Sequence, residues 1–248
     1  MRTANPALNS NTFQNLDYAS AGRDTMSLQG TVNRSATLLV LLMLPAIWTW
    51  NIFFSAGSSG AVMPYMIGGA IGGLIVALIT VFKKTWSPIT APIYAVLEGL
   101  FLGGISAIFE AQYPGIVLQA VFLTFGTLFG LLAAYRTGLI QVTENFKLGV
   151  AAATGGIFLV YMLTWILGFF GMQIPFIHSS GLIGIGFSVF VVIIAALNLV
   201  LDFDFIESGV EAGAPRYMEW YASFGLLVTL VWLYLEILRL LAKLASRR

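Results

Sequence analysis

The chain has 248 residues, of which 58% are hydrophobic and only 9% are charged, and its mean hydropathy is +0.90. Soluble domains carry about 25% charged residues, so this sequence cannot cover itself with a solvated surface. It contains no cysteine and a single histidine, which excludes disulfides and thiolate sites and argues against a metal cluster. A net charge of +1 argues against nucleic acid as a partner. We therefore expect an integral membrane protein.

Residues 1–33 are polar, rich in Asn, Ser and Gly, and lack an apolar helical period. We predict a disordered or interfacial tail there. Seven apolar segments follow, each long enough to cross a hydrocarbon core of about 30 Å. They lie near 36–54, 62–82, 88–109, 115–135, 148–170, 180–201 and 220–241. The sequence thus predicts an all-α, polytopic membrane protein in the lipid bilayer, with a transmembrane bundle over 34–242 and a basic tail at 243–248.

The basic residues predict the orientation, because Lys and Arg are enriched in cytoplasmic loops. They occur in the N-terminal tail and in the connections after the second, fourth and sixth segments, at Arg2, Arg23, Arg34, Lys83, Lys84, Arg136, Lys147 and Arg216. We therefore expect a multi-pass protein of the inner or plasma membrane with a cytoplasmic N-terminus. Seven crossings place the C-terminus outside, although its end is basic. A partly re-entrant last segment is the alternative.

Glu98 lies near the middle of 88–109, which is otherwise almost wholly apolar. A carboxylate at the centre of a lipid-spanning helix costs about 2.5–3.5 kcal/mol on insertion scales. It is therefore expected to face the bundle interior or water. We interpret Glu98 as a titrating group in a proton or cation path. The structural alternative is a protonated side chain that is hydrogen-bonded to a neighbour.

The last segment carries polar residues at regular intervals. Thr229, Glu236 and Lys243 recur every seven residues, which predicts one polar stripe along the helix and a position in the bundle centre. Glu236 and Arg239 are three residues apart and can pair along one face. The structural alternative for this pair is an interfacial ion pair in which Arg239 extends toward the lipid headgroups.

The stretch LDFDFIE at 201–207 is expected to end the sixth helix on the cytoplasmic side. Asp202 and Asp204 are two residues apart and point about 200° apart on a helix, so only one can face the core. We consider transient Ca²⁺ binding at this pair, with no tightly bound metal. The alternative is a solvated helix end followed by an acidic loop, with Glu207, Glu211 and Glu219.

Glycines recur four residues apart in the second, third and fourth segments. Small residues at this spacing let helix backbones approach closely. We expect tight packing within one bundle, with a homo-oligomer seam as the alternative. The pairs are Gly68–Gly72, Gly69–Gly73, Gly99–Gly103 and Gly126–Gly130.

The end of the chain resembles the Bax inhibitor-1 family, and in particular its bacterial Bax inhibitor-1/YccA-like branch. The resemblance rests on LDFDFIESGVEAGAPRYMEWYASFGLLVTLVWLYLEILRLL at 201–241, EGLFLGGIS at 98–106 and NPAL at 5–8. It implies a seven-helix bundle with a central last helix. It also implies a pH-sensitive calcium leak controlled by two aspartates near the cytoplasmic end.

This chain departs from the family pattern at one of those aspartates. The first best matches Asp204, with Asp202 as a close alternative, but the second falls on Thr229. A proton-sharing aspartate pair cannot form with a threonine. We hypothesise that an acid from elsewhere in the bundle replaces it, with Glu98 as the first choice and Glu236 as the second.

The sequence therefore favours a cation leak channel, gated by protonation of intramembrane carboxylates, over two other functions. One is a regulatory protein that binds a membrane protease or another membrane complex through its polar tail. The other is a secondary transporter, which the missing inverted repeat and the few polar residues disfavour. No nucleophile elbow, P-loop or dinucleotide motif occurs. We expect no enzymatic activity and no cofactor, only transported Ca²⁺ or H⁺.

Overall fold

The computed structural model describes residues 25–170 and 181–247. Within these ranges the regular structure is helical, and seven helices are long and apolar enough to cross a membrane. They are α1 Leu28–Ala56, α2 Met63–Phe82, α3 Ser87–Gln112, α4 Ile116–Arg136, α5 Glu144–Phe169, α6 Leu182–Glu211 and α7 Tyr217–Ala245. The predicted all-α class with seven transmembrane helices is confirmed.

Local caps define where the first and fifth helices begin. The Ser27 hydroxyl accepts a hydrogen bond from the Gly30 amide at 3.0 Å, and this N-cap starts α1 at Leu28. Thr143 caps α5 in the same way. Residues 28–33, which we assigned to the polar tail, are therefore helical. Residues 1–24 of that tail lie outside the described ranges.

The last two helices run further than the sequence predicted. We expected α6 to end within 201–207, but it continues to Glu211, so Asp202 and Asp204 lie inside the helix. We also assigned Lys243 to the C-terminal tail, but α7 continues through Ala245 and includes it. In both cases polar residues that suggested a helix end are accommodated within the helix.

Residues 25–117 and 205–228 form one compact unit, here called the α1–α3 unit. Both α1 and α2 pack against α3. Glycine permits this close approach. A Cβ atom at Gly99 or Gly103 would collide with main-chain carbonyl oxygens of α1, and one at Gly69 with a carbonyl oxygen of α3.

Residues 118–170, 181–204 and 229–247 form a second compact unit, here called the α4–α5 unit. Its buried core includes Ile157 of α5 with Val191 and Ile194 of α6, and Trp232 of α7 packs against them. A Cβ atom added at Gly126 or Gly130 on α4 would meet no atom within 4 Å among the described residues outside its own helix backbone. The close packing that we predicted at this glycine pair is therefore not seen in that part of the chain.

Large apolar side chains cover much of the outer surface of both units. Leu74 is 61% exposed, Phe122 69% and Phe158 64%. Such exposure is costly in water but ordinary where lipid is the solvent. Of the seven helices, α7 is the most buried along its apolar stretch, as expected for the helix that we predicted to be central.

Candidate functional site

The polar stripe on α7 is buried. Thr229 is 3% exposed, Glu236 2% and Lys243 7%. Their seven-residue spacing puts them on one face of the helix. Polar and charged groups are expensive inside a membrane and need partners or water. The partners of the two charged residues define two clusters in the α4–α5 unit.

The first cluster surrounds the Glu236 carboxylate. Arg239 Nη1 lies 2.8 Å from Glu236 Oε1, which is the intrahelical ion pair predicted from the three-residue spacing. The Tyr161 hydroxyl of α5 donates to the same carboxylate, with its two oxygens 3.0 and 3.1 Å away, and accepts from Arg239 Nη1 at 3.0 Å. The charge on Glu236 is therefore neutralised by Arg239, and Tyr161 connects the pair to α5.

The second cluster fixes the ammonium group of Lys243. Its Nζ donates to the Gly184 carbonyl at 3.0 Å and to the Ser188 hydroxyl at 2.8 Å, which ties the end of α7 to the start of α6. A buried ammonium group must be hydrogen-bonded to be tolerated. Lys243 is therefore part of the interior, and it is not a free cation of a C-terminal tail.

The two aspartates of α6 have different surroundings. Asp202 is 1% exposed. Asp204 has an 18% exposed side chain, and its Oδ2 lies 2.9 Å from Nζ of Lys147. This agrees with the helical geometry, in which only one of the two faces the core. The alternative of a solvated helix end is wrong for Asp202, because the helix continues past it and the residue is enclosed.

Lys147 was expected to be a loop cation, but it lies in the first turn of α5. Its side chain is 4% exposed, and it pairs with Asp204 and, at 3.5 Å, with the exposed Glu144. The cross-helix ion pair links α5 to α6. The sequence gives no signal for it, because the two residues are far apart in the chain.

Glu98 lies in the α1–α3 unit, where it is partly buried on α3. It accepts a side-chain hydrogen bond from Tyr94, one turn earlier on the same helix. Gly73 of α2 makes room for the carboxylate, since a Cβ there would lie 3.2 Å from Glu98 Oε2. The partner of Glu98 is therefore an uncharged hydroxyl, and the four-residue spacing of Tyr94 and Glu98 could have predicted it.

Glu219 was expected in an acidic loop, but it lies in the first turn of α7 and is 3% exposed. Its Oε1 accepts hydrogen bonds from the Ser27 amide at 3.1 Å and from the Ser27 hydroxyl at 2.9 Å. This carboxylate therefore joins the start of α7 to the start of α1. Glu207 and Glu211, the other acids of the predicted loop, belong to α6.

Across residues 25–170 and 181–247, no group of three or more His, Cys, Asp or Glu side chains is arranged to hold a metal ion. The Asp202 and Asp204 side chains diverge on α6, and Lys147 is bound to Asp204. Transient Ca²⁺ binding at these aspartates stays a prediction.

Seven apolar helices with ionisable groups enclosed in their spans define a multi-pass membrane protein. Within that class, the chain belongs to the Bax inhibitor 1 like family, whose model matches residues 5–246 and thus nearly its whole length. Comparison with curated proteins and with solved structures gave no significant match.

Proposed function

We propose that the protein is a cation leak channel of a cell membrane, selective for Ca²⁺ or coupled to H⁺, and gated by protonation of carboxylates in its spans. The observation that carries this proposal is the burial of Asp202 and Glu236, which are 1% and 2% exposed in membrane-spanning helices. Ionisable residues enclosed within a membrane characteristically mark ion pathways and proton relays. No enzymatic step and no cofactor is part of this proposal.

The partners of Glu236 and Glu98 decide which of the two is the better candidate to replace the missing second aspartate. Glu236 already has a cation, Arg239, at 2.8 Å. Glu98 has an uncharged partner, the Tyr94 hydroxyl. A change in the charge of Glu98 would therefore break no ion pair, and Glu98 remains our first choice for the gating carboxylate, ahead of Glu236.

Calcium flux from liposomes that contain the purified protein tests the proposal. We expect flux that changes between mildly acidic and mildly alkaline pH. Glu98→Gln should keep the flux and lose its pH dependence, whereas Asp202→Asn should lower the flux at every pH. The matched control is Glu211→Gln, an exposed acid at the end of α6, which should behave as the wild type. Flux no greater than from protein-free liposomes, with folded protein, would overturn the proposal.

We further propose that the N-terminus is cytoplasmic and the C-terminus external. α7 is one continuous helix of 29 residues, about 44 Å long at 1.5 Å per residue, which exceeds a hydrocarbon core and supports a full crossing. The burial of Lys243 removes one of the basic charges that opposed this orientation. Because the chain has no cysteine, single cysteines at Lys83 and Arg247 can be labelled separately in intact cells. Labelling of both from the same side would contradict this orientation.

The alternative function, regulation of a membrane protease or another membrane complex, has one observation in its favour. The chain that leads into α1 is attached to the turn before α7, since the Met26 amide donates to the Ala214 carbonyl at 2.6 Å. A partner that binds residues 1–24 would thus attach beside a fixed point of the protein. Deleting those residues should abolish this regulation and leave ion flux unchanged.

A further inference from the structure

The side chain of Tyr94 on α3 contacts two neighbours at once. Its hydroxyl donates a hydrogen bond to the Glu98 carboxylate, one turn later on the same helix. Its ring packs edge-to-face against Phe224 of α7, with the ring centroids 5.0 Å apart and the ring planes at 80°. Tyr94 is 6% exposed and Phe224 is 1% exposed. Tyr94 therefore connects an acid in a membrane-spanning helix to another helix of the α1–α3 unit.

Gly73 of α2 lies beside both members of the Tyr94–Glu98 pair. A Cβ atom at this glycine would lie 3.2 Å from Glu98 Oε2 and 3.9 Å from Tyr94 Cε2. Because glycine carries only hydrogen there, the α2 backbone can approach the carboxylate and the ring closely. Both groups are therefore packed against the same helix, which restricts their movement.

The other groups around the pair come from α1 and α7. At Gly99, which follows Glu98, α1 contributes main-chain and proline atoms. On α7, the titratable neighbour of Phe224 is Tyr221, with the ring centroids 6.4 Å apart. The ammonium group of Lys84 lies over the Tyr221 ring, 5.9 Å from its centroid. Among the described residues, these neighbours include no second acid that could share a proton with the carboxylate.

The two protonation states of Glu98 interact differently with the tyrosine. An ionised carboxylate only accepts hydrogen bonds, whereas a protonated one can also donate. A hydrogen bond to the ionised form is charge-assisted and about twice as strong as a neutral one. The Tyr94 hydroxyl is therefore held more firmly while Glu98 is charged. Because aromatic rings prefer particular edge-to-face arrangements, a movement of the Tyr94 ring changes its contact with Phe224.

We propose that Tyr94 is a positioning residue for Glu98 and transmits the charge state of Glu98 to α7 through Phe224. This inference rests on the proposed function, in which Glu98 is the gating carboxylate. A proton that binds to Glu98 weakens its hydrogen bond with the Tyr94 hydroxyl. The tyrosine ring then moves against Phe224, and α7 responds. Tyr94 keeps its own proton throughout and binds no ion.

Tyr94→Phe tests the hydrogen bond, because it removes the hydroxyl and keeps the ring contact with Phe224. Calcium flux from liposomes is measured against pH. The infrared band of the protonated Glu98 carboxyl group, identified by its loss in Glu98→Gln, is followed over the same range. We expect the midpoints of both curves to move by about one unit to more alkaline pH, because the ionised carboxylate loses the donor that favours it. The matched control is Tyr65→Phe, which removes the hydroxyl of a tyrosine that packs edge-to-face against Trp48 at 4.9 Å.

The control should leave both midpoints unchanged. Unchanged midpoints in Tyr94→Phe would overturn the positioning of Glu98, and so would an equal movement in Tyr65→Phe. A wild type without flux, whose infrared midpoint still moves in Tyr94→Phe, would refute the proposed function and support the positioning of Glu98. The two readouts thus separate a failure of the channel from a failure of this inference.

Phe224→Leu tests the connection to α7, because it removes the ring and keeps the Tyr94 hydroxyl. We expect the infrared midpoint of the wild type. The ratio of the fluxes at the two ends of the pH range should fall about fivefold, which corresponds to the loss of one edge-to-face ring pair. A wild-type flux ratio would overturn the transmission to α7. Thermal unfolding checks the fold, and Phe224→Met takes the place of Phe224→Leu if the latter does not fold.

Discussion

Nζ of Lys147 lies 2.9 Å from Oδ2 of Asp204, and this ion pair joins the first turn of α5 to the interior of α6. The lysine side chain is 4% exposed, whereas that of the aspartate is 18% exposed. The pair is therefore largely removed from water, and its two charges depend on each other. Removing either side chain would leave the other charge without its partner between these two helices.

Replacing Lys147 by Met should destabilise the protein, because Asp204 then keeps a poorly solvated charge without its cation. We expect a loss of about 2 kcal/mol, less than the 3–5 kcal/mol of fully buried pairs because water reaches Asp204. Denaturant unfolding in detergent measures it. Glu144→Gln, which removes the exposed partner of Lys147, should change stability by less than about 0.5 kcal/mol. Equal losses in the two variants would contradict this account.

The features that sequence reasoning predicted correctly are those that one helix determines by itself. The pairing of Glu236 with Arg239 and the alignment of Thr229, Glu236 and Lys243 follow from helical spacing alone. The seven membrane-spanning helices could be predicted for a similar reason, because the length and hydropathy of one segment decide whether it can cross a bilayer.

The features that sequence reasoning missed depend on contacts between helices. Tyr161 reaches Glu236 from α5, and Lys147 reaches Asp204 from α5, although no spacing in the sequence relates these residues. The ends of α6 and α7 were placed too early for the same reason. Asp202 and Lys243 resembled solvated helix ends, but both are buried.

Replacing Arg239 by Met should leave the Glu236 carboxylate, whose side chain is 3% exposed, without a cation. The Arg239 side chain is 42% exposed, so we expect a loss of about 2 kcal/mol, less than for pairs in which both partners are buried. Adding Glu236→Gln to this variant should restore part of the stability, because the amide carries no charge. Unfolding of the single and double variants in detergent measures this coupling. If the double variant were less stable than Arg239→Met, the buried charge would not be the cause.

Replacing Ser27 by Ala should remove two interactions of its hydroxyl group. One is the N-cap of α1, and the other is the hydrogen bond that the hydroxyl donates to Glu219. The cap contributes about 1 kcal/mol, and a hydrogen bond to a charged group contributes about 1.5–3 kcal/mol. The matched control is Thr143→Ala, which removes the N-cap of α5. Ser27→Ala should therefore cost more than Thr143→Ala in the same unfolding assay. Equal costs would show that the hydroxyl contact with Glu219 contributes nothing measurable.

Adding a methyl group at Gly103 should separate α1 from α3, because the new Cβ would collide with the Ala46 carbonyl oxygen and the Thr49 hydroxyl. Overpacking of this kind costs about 1–3 kcal/mol, so Gly103→Ala should lower stability by at least that amount. Gly126→Ala on α4 is the control, since no atom of the described residues lies within 4 Å of its Cβ position. Because alanine has a higher helix propensity than glycine, Gly126→Ala should increase the free energy of unfolding by up to about 1 kcal/mol. Thermal unfolding in detergent compares the two variants. A loss of stability in Gly126→Ala would instead indicate a close contact at α4, as in the homo-oligomer seam that we gave as the alternative for its glycine spacing.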